Sequence, residues 1–309
     1  MSVMRKVLLA GSTNAWLRER ATKAPFVRRA VSAFMPGESI DDALRAAQEL
    51  KRSGINTILT RLGENITRID EAEEVTQHYF SVLDKVAAAG LDAHISVKPT
   101  QLGLDQDRVL CRGNLERLIE RTEQRNNVLW IDMESSPYVE PTLELYRHGR
   151  SKTSKIGVAI QAYLFRSDKD VESLIPIGSA IRVVKGAYLE PPEVAFPRKA
   201  DVDENFFRLC VRLLQPDAIQ AGCLLHIATH DMALVDRLAA WIKANNVPPS
   251  AYEFAMLYGI QRTHQQRLAS EGKRLRVLIS YGEYWFPWYM RRLAERPANV
   301  WFVLKNVFT

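Results

Sequence analysis

Two cations stand inside one apolar run of the sequence. Arg182 and Lys185 lie three residues apart in IRVVKGAY, so on a strand they point to opposite faces. Because a buried charge is costly without a partner, each cation needs an anion. That anion is either a cofactor phosphate or electron-rich ring, or a carboxylate of a neighbouring strand in a purely structural pair. Gly186, directly after Lys185, would let a bulky ligand approach the backbone.

An adjacent arginine pair, Arg291 and Arg292, lies near the C-terminus behind five closely spaced aromatic residues. The segment GEYWFPWYMRRLAER predicts a helix with Pro287 in its first turn. Neighbouring helical residues diverge, so the two side chains can converge only on a ligand that lies along the helix flank. Two guanidinium forks suit a carboxylate, and Glu295 is spaced to orient either arginine. The alternative is a solvated basic face, against which the aromatic residues argue.

Histidine and cysteine give weaker signals. His226 and His230 lie four apart, but on a strand and its exit, which does not favour a shared metal ion. We expect His226 in the core with its ring bonded to backbone, and His230 as a contact for a phosphate or a ring. Cys111, Cys210 and Cys223 form no CxxC pair, which argues against a disulfide scaffold or a zinc site and favours a reducing, cytoplasmic location.

The net charge of +6 belongs entirely to residues 1–30, which hold seven basic residues and one acidic residue. The rest of the chain is balanced, which argues against a nucleic-acid-binding face. Apolar residues beside the arginines in this arm would suit either contact with anionic lipid or packing on the body of the protein. We expect residues 1–45 to form a helical arm and residues 46–309 a catalytic domain. Nothing in the sequence indicates an oligomeric state.

Eight short apolar runs alternate with helical stretches from residue 55 onward, a pattern typical of a parallel sheet covered by helices. Eight such units favour an α/β fold of the (β/α)8 TIM-type barrel class over a doubly wound open sheet, since no GxGxxG follows any run. The expected strands are Ile55–Leu62, Leu91–Val97, Asn127–Met133, Lys155–Tyr163, Ala180–Ala187, Cys223–Thr229, Tyr252–Tyr258 and Leu275–Tyr281. The runs end in polar residues, which would surround the C-terminal mouth where barrels carry their active sites.

Taken together, these motifs resemble the proline dehydrogenase family, from about Ala43 to the C-terminus. The landmarks in family order are LGE, VKPTQLGL, IDMESS, QAYL, IRVVKGAY, PRKADVDENF, ATH, EFAMLYG and YGEYWFPWYMRRLAE. The resemblance implies a distorted barrel, with N-terminal helices and a C-terminal helix over the active site. It also implies FAD held without a dinucleotide-binding module, and oxidation of L-proline to Δ1-pyrroline-5-carboxylate with electrons passed to a quinone.

The resemblance also implies roles for individual residues. Asp132 and Arg182 would be catalytic, Asp132 by orienting Lys98 and Arg182 by standing near the reactive flavin edge. Glu64 and Glu295 would form a gate with the arginine helix. The substrate would contact Lys98, Leu257, Leu278, Arg291 and Arg292. FAD would contact Met133, Gln161, Arg182, Lys185, Gly186, Ala187, Thr229 and His230. No metal ion is expected.

The sequence departs from the family pattern in the eighth strand. Leu278 stands where a tyrosine usually covers the proline ring, Ser280 replaces a usual proline, and Ala255 replaces a larger polar residue. Either the pocket has more room, or a neighbour such as Tyr281 swings in. The substrate is therefore L-proline or, as alternatives, hydroxyproline or another cyclic amino acid or proline derivative.

Two further hypotheses remain open on sequence alone. A Schiff-base lyase would use Lys98 or Lys185 as its amine. A catalytically inactive binding barrel would not need Asp132, Arg182 and the arginine pair, all of which are present. For the redox enzyme we expect a cytoplasmic protein, with peripheral contact at the inner face of the membrane through the basic arm, because a quinone is lipid-soluble.

Overall fold

The computed structural model describes residues 31–64 and 66–295, with side chains up to residue 290. The basic arm of residues 1–30 lies outside the described residues. So do the side chains of Arg291, Arg292 and Glu295, which the sequence places in the substrate site and its gate.

Eight parallel strands close into a single barrel in chain order, and β1 pairs with β8 from Asn56↔Arg276 to Arg61↔Tyr281. The expected barrel is therefore confirmed, and the open doubly wound sheet is wrong. Each strand lies within or closely matches its expected run. The strands are β1 Asn56–Arg61, β2 Ala93–Val97, β3 Leu129–Ile131, β4 Ile156–Gln161, β5 Ala180–Val184, β6 Leu224–Ala228, β7 Tyr252–Leu257 and β8 Leu275–Tyr281.

The helices that connect and cover these strands begin where polar residues follow each strand. Asp107 starts α3 by accepting hydrogen bonds from the backbone of Val109 and Leu110. The helices are α1 Ile40–Arg52, α2 Ile69–Ala88, α3 Arg108–Gln124, α4 Val139–Arg150, α5 Ser167–Leu174, α6 Lys199–Leu213, α7 Pro216–Gln220, α8 Met232–Ala244, α9 Arg262–Ser270 and α10 Trp285–Glu295. The expected boundary at residue 45 falls within α1. Among the helices described here, none is long and apolar enough to cross a bilayer.

Alternate strand residues divide the barrel into two layers. The outward residues are mainly valine, isoleucine and leucine, and they pack under the helices. In the lower lumen, charged side chains lie beside a small apolar cluster that includes Trp130 and Ala180. Arg276 Nε donates to Glu253 Oε2 at 2.9 Å, and Arg274 Nη2 donates to Glu253 Oε1 at 2.8 Å. His226 is fully buried as expected, but its Nε2 lies 3.1 Å from Glu253 Oε2, so its neighbour is a carboxylate and not the expected backbone.

The final helix, α10, lies against the exit of β1. Its aromatic residues pack with Leu62, which directly follows β1, and Trp285 Nε1 donates to Glu38 Oε1 at 3.1 Å. Burial of aromatic surface on Leu62 fixes the helix at the C-terminal mouth of the barrel. The expected C-terminal helix over the candidate active site is therefore confirmed.

Candidate active site at the barrel mouth

A buried cluster of charge lies in the upper lumen, formed by the residues that directly follow β2 and β3 and by Arg182 in the middle of β5. Lys98 Nζ donates to Asp132 Oδ2 at 3.1 Å, and Arg182 Nη2 forms an ion pair with Asp132 Oδ1. Ser96 Oγ donates to Asp132 Oδ1 at 2.8 Å and accepts from Arg182 Nη2 at 3.1 Å. Two neighbouring strand ends and a side chain that reaches across the lumen from β5 thus bring two cations onto one carboxylate.

The two cations keep the carboxylate of Asp132 ionised. Burial acts to raise the pKa of Asp132, but the charges of Lys98 and Arg182 outweigh it and hold that pKa below its usual value. Burial acts to lower the pKa of Lys98, but the charge of Asp132, together with smaller contributions from Glu64 and other nearby acidic groups, outweighs it, so the pKa of Lys98 is raised. The cluster therefore carries a net positive charge at neutral pH, which favours an anionic ligand.

Arg182 has a further contact and one free donor. Its guanidinium carbon lies 5.1 Å from the ring centre of Trp130, which is fully buried in the lumen. Within the described part of the chain, Nη1 of Arg182 has no hydrogen-bond partner. Because buried donors are nearly always satisfied, this atom points to a partner that a bound molecule would supply.

Lys185 is held by carboxylates of the protein itself. Its Nζ donates to Asp203 Oδ1 at 2.5 Å and to Asp231 Oδ2 at 2.9 Å, and Lys199 bonds to the same two carboxylates. Burial acts to raise the pKa of Asp231, yet its bonds with the two lysines bring it down to about 2. A phosphate at Lys185 would therefore share this lysine with an existing structural network.

Gly186 has a structural reason of its own. Its φ is +115°, and a Cβ at this position would lie 2.4 Å from the ring of Tyr163. The space beside Gly186 is thus filled by a ring of the protein, and this explains the glycine without a ligand. Its contact with a cofactor stays a prediction.

Three other residues expected at the cofactor also bond within the protein. Gln161 Nε2 donates to the backbone oxygen of Glu134 at 2.8 Å, and Thr229 Oγ1 accepts from the backbone of Asp231 at 3.1 Å. His230 Nε2 accepts from the backbone nitrogen of Leu257 at 2.8 Å, so the ring fixes the end of β7. In this bond Nε2 is unprotonated, which leaves Nδ1–H as the donor of the neutral ring.

The two leucines expected at the substrate lie side by side. Leu257 and Leu278 are register partners across β7 and β8, both half-buried, and Leu278 packs against Ile58 and Trp130 inside the barrel. Tyr281 points the other way, because its hydroxyl lies 2.8 Å from Nε2 of His78 on α2. The alternative in which Tyr281 replaces the missing ring is therefore wrong in this conformation.

The expected residues fall on two arcs of the mouth. The cofactor set, which also includes Met133 and Ala187, follows β3, β4, β5 and β6. The substrate set lies on or after β7, β8 and β2, and the gate residue Glu64 lies three residues beyond the end of β1. Asp132 and Arg182 join the two arcs because their side chains meet inside the lumen. A cofactor and a small substrate could therefore lie next to each other over this pair.

Sequence reasoning missed several residues that bind this site together. Glu134 accepts two hydrogen bonds from Thr100, and Gln101 bonds to the exit of β1. Glu190 accepts from the backbone and hydroxyl of Ser136 at 2.7 and 2.6 Å. Within the described residues, no group of three or more histidine, cysteine, aspartate and glutamate side chains could hold a metal ion.

Known proteins share this architecture and sequence. The family profile described as proline dehydrogenase matches residues 43–305. Proline dehydrogenase 1 of Bacillus subtilis subsp. natto is 36% identical over 99% of both chains, and the proline dehydrogenase of Deinococcus radiodurans is 38% identical over 89% of this chain and 88% of its own.

A solved structure shows the same fold within a longer protein. Proline utilization A (PutA) of Bdellovibrio bacteriovorus, in a crystal structure of the form inactivated by N-propargylglycine, superposes with a TM-score of 0.81 at 24% identity. The match covers 94% of this chain and 36% of that one, so the likeness is to one part of PutA. Profile and relatives together span nearly the whole chain, which therefore belongs to the proline dehydrogenase family and is an enzyme of that family.

Proposed function

We propose that this enzyme oxidises L-proline to Δ1-pyrroline-5-carboxylate, with FAD as the bound hydride acceptor and a quinone as the final electron acceptor. The observation that carries the proposal is the buried cluster of Lys98, Asp132 and Arg182 at the mouth of a barrel of this family. The cluster combines an anion-binding lysine with an arginine that has a free donor, next to two apolar side chains that suit a ring.

The substrate carboxylate is the group that Lys98 would bind. Lys98 is 8% exposed and charged, and Asp132 fixes its ammonium from one side, which leaves the remaining donors for a ligand. Arg291 and Arg292 would add two guanidinium forks from α10, the helix packed on the exit of β1. Leu257 and Leu278 would then pack against the apolar face of the ring.

FAD, when bound, supplies a ring that accepts a hydride. The hydride comes from the ring carbon that is bonded to the proline nitrogen and does not carry the carboxylate. The residues that would hold it are those of the β3-to-β6 arc, and the free Nη1 of Arg182 fits a hydrogen-bond acceptor of such a ring. The positive charge of Arg182 would favour negative charge that develops on that acceptor. Lys185 would contact the cofactor from within its network with Asp203 and Asp231.

The enzyme must bind proline so that its amine can lose a proton. With the acceptor bound, the hydride would carry two electrons to it, the nitrogen lone pair would form the C=N bond, and the remaining amine proton would go to solvent. Cations at the carboxylate stay charged throughout this change, so they stabilise the neutral-amine anion. Fixed geometry over Asp132 and Arg182 is the larger contribution of the protein to such a direct transfer.

The lysines of this site do not suit a Schiff-base lyase. A lysine that forms a Schiff base needs a depressed pKa so that its amine is neutral. The pKa of Lys98 is raised instead, because burial is outweighed by the combined charges of Asp132 and other nearby acidic groups. The Nζ of Lys185 donates to two carboxylates, Asp203 and Asp231, so the protein itself already engages this amine.

Turnover with a soluble quinone analogue tests the proposal. The purified enzyme should contain extractable FAD, reduce the analogue when L-proline is added, and release one cyclic imine for each acceptor reduced. Lys98→Met should raise the KM for proline far more than it lowers FAD content. Protein without flavin, or with flavin but no proline-dependent imine, would contradict the proposal.

Leu278 favours a second candidate substrate. Leucine is shorter than the expected tyrosine and cannot donate a hydrogen bond, and Tyr281 points away to His78. The same chemistry on hydroxyproline or another ring-substituted proline is therefore the alternative. A comparison of kcat/KM for proline and trans-4-hydroxyproline separates the two candidates, since a strong preference for proline would remove the second.

We further propose a cytoplasmic enzyme that meets its quinone at the inner surface of the membrane through residues 1–30. The arm carries the whole net charge of +6. Each basic residue near anionic lipid contributes roughly 1 kcal/mol. The division into an arm of residues 1–45 and a catalytic domain of residues 46–309 belongs to the same proposal.

A further inference from the structure

Glu134 is a buried carboxyl group at the mouth of the barrel that the proposed reaction does not use. It is 2% exposed and follows β3 two residues after Asp132. Its Oε2 accepts from the backbone nitrogen of Thr100 at 3.1 Å, and its Oε1 accepts from Thr100 Oγ1 at 2.6 Å. One side chain therefore takes up both donors of a residue on a neighbouring loop.

Thr100 belongs to the short 3-10 helix Pro99–Leu102, which begins directly after Lys98. In the same turn, Gln101 Nε2 donates to the backbone oxygens of Arg61 at 2.9 Å and Gly63 at 2.7 Å. Gln101 Oε1 accepts from the backbone nitrogen of Lys98 at 3.3 Å. The turn that Glu134 fixes therefore connects the cluster lysine to the β1 exit that carries Glu64.

We propose that Glu134 is a positioning residue, which through Thr100 holds Lys98 in place to bind the carboxylate of the substrate. The inference rests on the proposed function only in naming that carboxylate. Glu134 lies two residues from Asp132 on the same strand exit, so it sets the distance between the turn that carries Lys98 and the partner of Lys98. Asp132 holds the ammonium group of Lys98, and the turn fixed by Glu134 holds its backbone. Loss of Glu134 should therefore displace the ammonium group, while the ion pair between Asp132 and Arg182 remains.

The surroundings of Glu134 make its carboxyl group costly to ionise. Burial raises the pKa of Glu134 to about 7, against the hydrogen bonds of Thr100; the charge of Glu64 raises it further, and Lys98 opposes. Cys111 and Tyr138 also face this carboxyl, and mainly through burial both have their pKa raised to about 12, so they stay neutral. This carboxyl group is costly to ionise, yet it makes two hydrogen bonds to one turn of the site. Such a combination is typical of a residue that serves the site.

A binding assay on the purified FAD-loaded enzyme tests this role without turnover. The probe is cyclopentanecarboxylate, a five-membered ring with a carboxylate and no amine, and its uncharged carboxamide is the comparison. Glu134→Ala should weaken carboxylate binding about tenfold, which equals about 1.4 kcal/mol, and change carboxamide binding little. Thr100→Val keeps the hydrogen bond from the backbone nitrogen of residue 100 to Glu134, and it should weaken carboxylate binding about threefold. Glu134→Gln, which can bond to both Thr100 groups, should recover most of the affinity.

Two controls assign the effect to Lys98. Thr142→Val makes the same atomic change at a fully buried threonine of α4 whose hydroxyl has no partner within the described residues, and it should leave Kd unchanged. In a Lys98→Met background, Glu134→Ala should change Kd less than twofold. A tenfold loss that persists in that background, or equal losses for carboxylate and carboxamide, would overturn the proposal. Absence of proline oxidation with these Kd changes intact would refute the proposed function alone.

Discussion

Replacement of Arg182 by methionine separates its electrostatic role from its structural role. The change removes the ion pair with Asp132, the 3.1 Å bond to Ser96 and the contact with the Trp130 ring. Asp132 keeps Lys98 at 3.1 Å and Ser96 at 2.8 Å, so its charge remains compensated. Breaking a buried ion pair costs 3–5 kcal/mol, and the remaining partners place this variant near the lower end, at about 3 kcal/mol.

Arg276 is a matched control inside the same barrel. It is 3% exposed, as Arg182 is, and lies near the start of β8, at the end of the lumen away from the mouth. Its Nε and Nη1 donate to Glu253 and Asp92, both at 2.9 Å, and Glu253 would still be bonded to Arg274 at 2.8 Å. Arg276→Met should therefore also cost about 3 kcal/mol of unfolding free energy.

Only the Arg182 variant should change the chemistry. A charge aimed at the reacting centre contributes about 2.7–4 kcal/mol, so kcat should fall by roughly 10² to 10³ in Arg182→Met, with a lower flavin midpoint potential. Arg276→Met should keep kcat within about threefold of wild type, since its contacts lie outside the site. The assay is steady-state proline turnover at 25 °C with stability measured by urea unfolding. An unchanged kcat and potential in Arg182→Met, or an equal loss of kcat in Arg276→Met, would refute the electrostatic role.

Four further predictions concern other parts of the chain. Leu278→Tyr should shift the kcat/KM ratio toward proline over trans-4-hydroxyproline by roughly ten- to a hundredfold, because a misfit of this size costs about 1–3 kcal/mol; an unchanged ratio in a stable variant would contradict this. Arg291→Ala or Arg292→Ala should raise the KM for proline roughly ten- to a hundredfold without loss of FAD, whereas flavin loss at unchanged KM would assign them to the cofactor. Glu134→Gln should unfold at a higher urea concentration than wild type at pH 8 but not at pH 4. The pKa of Glu134 is raised to about 7 in the folded protein, so wild type loses about 3 kcal/mol of unfolding free energy between pH 4.5 and 7, whereas the glutamine variant does not. A difference between the two proteins that does not change with pH would contradict this. A chain that begins after Arg29 should sediment less with anionic vesicles than the full chain, and equal sedimentation would refute the role of the arm.

The strands could be predicted because their side chains are buried on both faces. Each run is mostly apolar and stops where polar residues meet the mouth; in Leu275–Tyr281 the exceptions are the buried Arg276 and Ser280. The end of each apolar run also places Lys98 after β2 and Asp132 after β3, and these strands are neighbours in the barrel. The contact between Lys98 and Asp132 that the family resemblance implies is present in the structure. Sequence pattern predicts such contacts only when both partners are unusual for a strand.

The rest of the site depends on register and loop conformation, which the pattern does not contain. Ser96 is an ordinary strand residue until the barrel brings it between Asp132 and Arg182. Thr100 and Gln101 lie in the landmark VKPTQLGL, but the sequence indicates no role for them, because their partners are a carboxyl group that follows β3 and backbone oxygens at the exit of β1. Gly186 suggests space for a ligand in the sequence, whereas in the structure the ring of Tyr163, two residues after β4, fills that space.

The same dependence explains the lysine of the fifth strand. Lys185 was expected to bind a cofactor phosphate or a structural carboxylate. The structure shows the carboxylates, since α6 and the exit of β6 bring Asp203 and Asp231 to the lysine. The sequence contains both aspartates, but only the packing of α6 on β5 and β6 shows that they reach one ammonium group.

Anaerobic reduction of the bound flavin by substrate tests the central claim most directly. Oxidised enzyme is mixed with L-proline without oxygen or any other electron acceptor, and the visible flavin absorption is followed in a single turnover. The account predicts full bleaching by L-proline at a rate that saturates with its concentration, and a much higher half-saturation in Lys98→Met. The central claim would be contradicted if the flavin of folded, FAD-loaded enzyme stayed oxidised in saturating L-proline and also in saturating ring-substituted prolines.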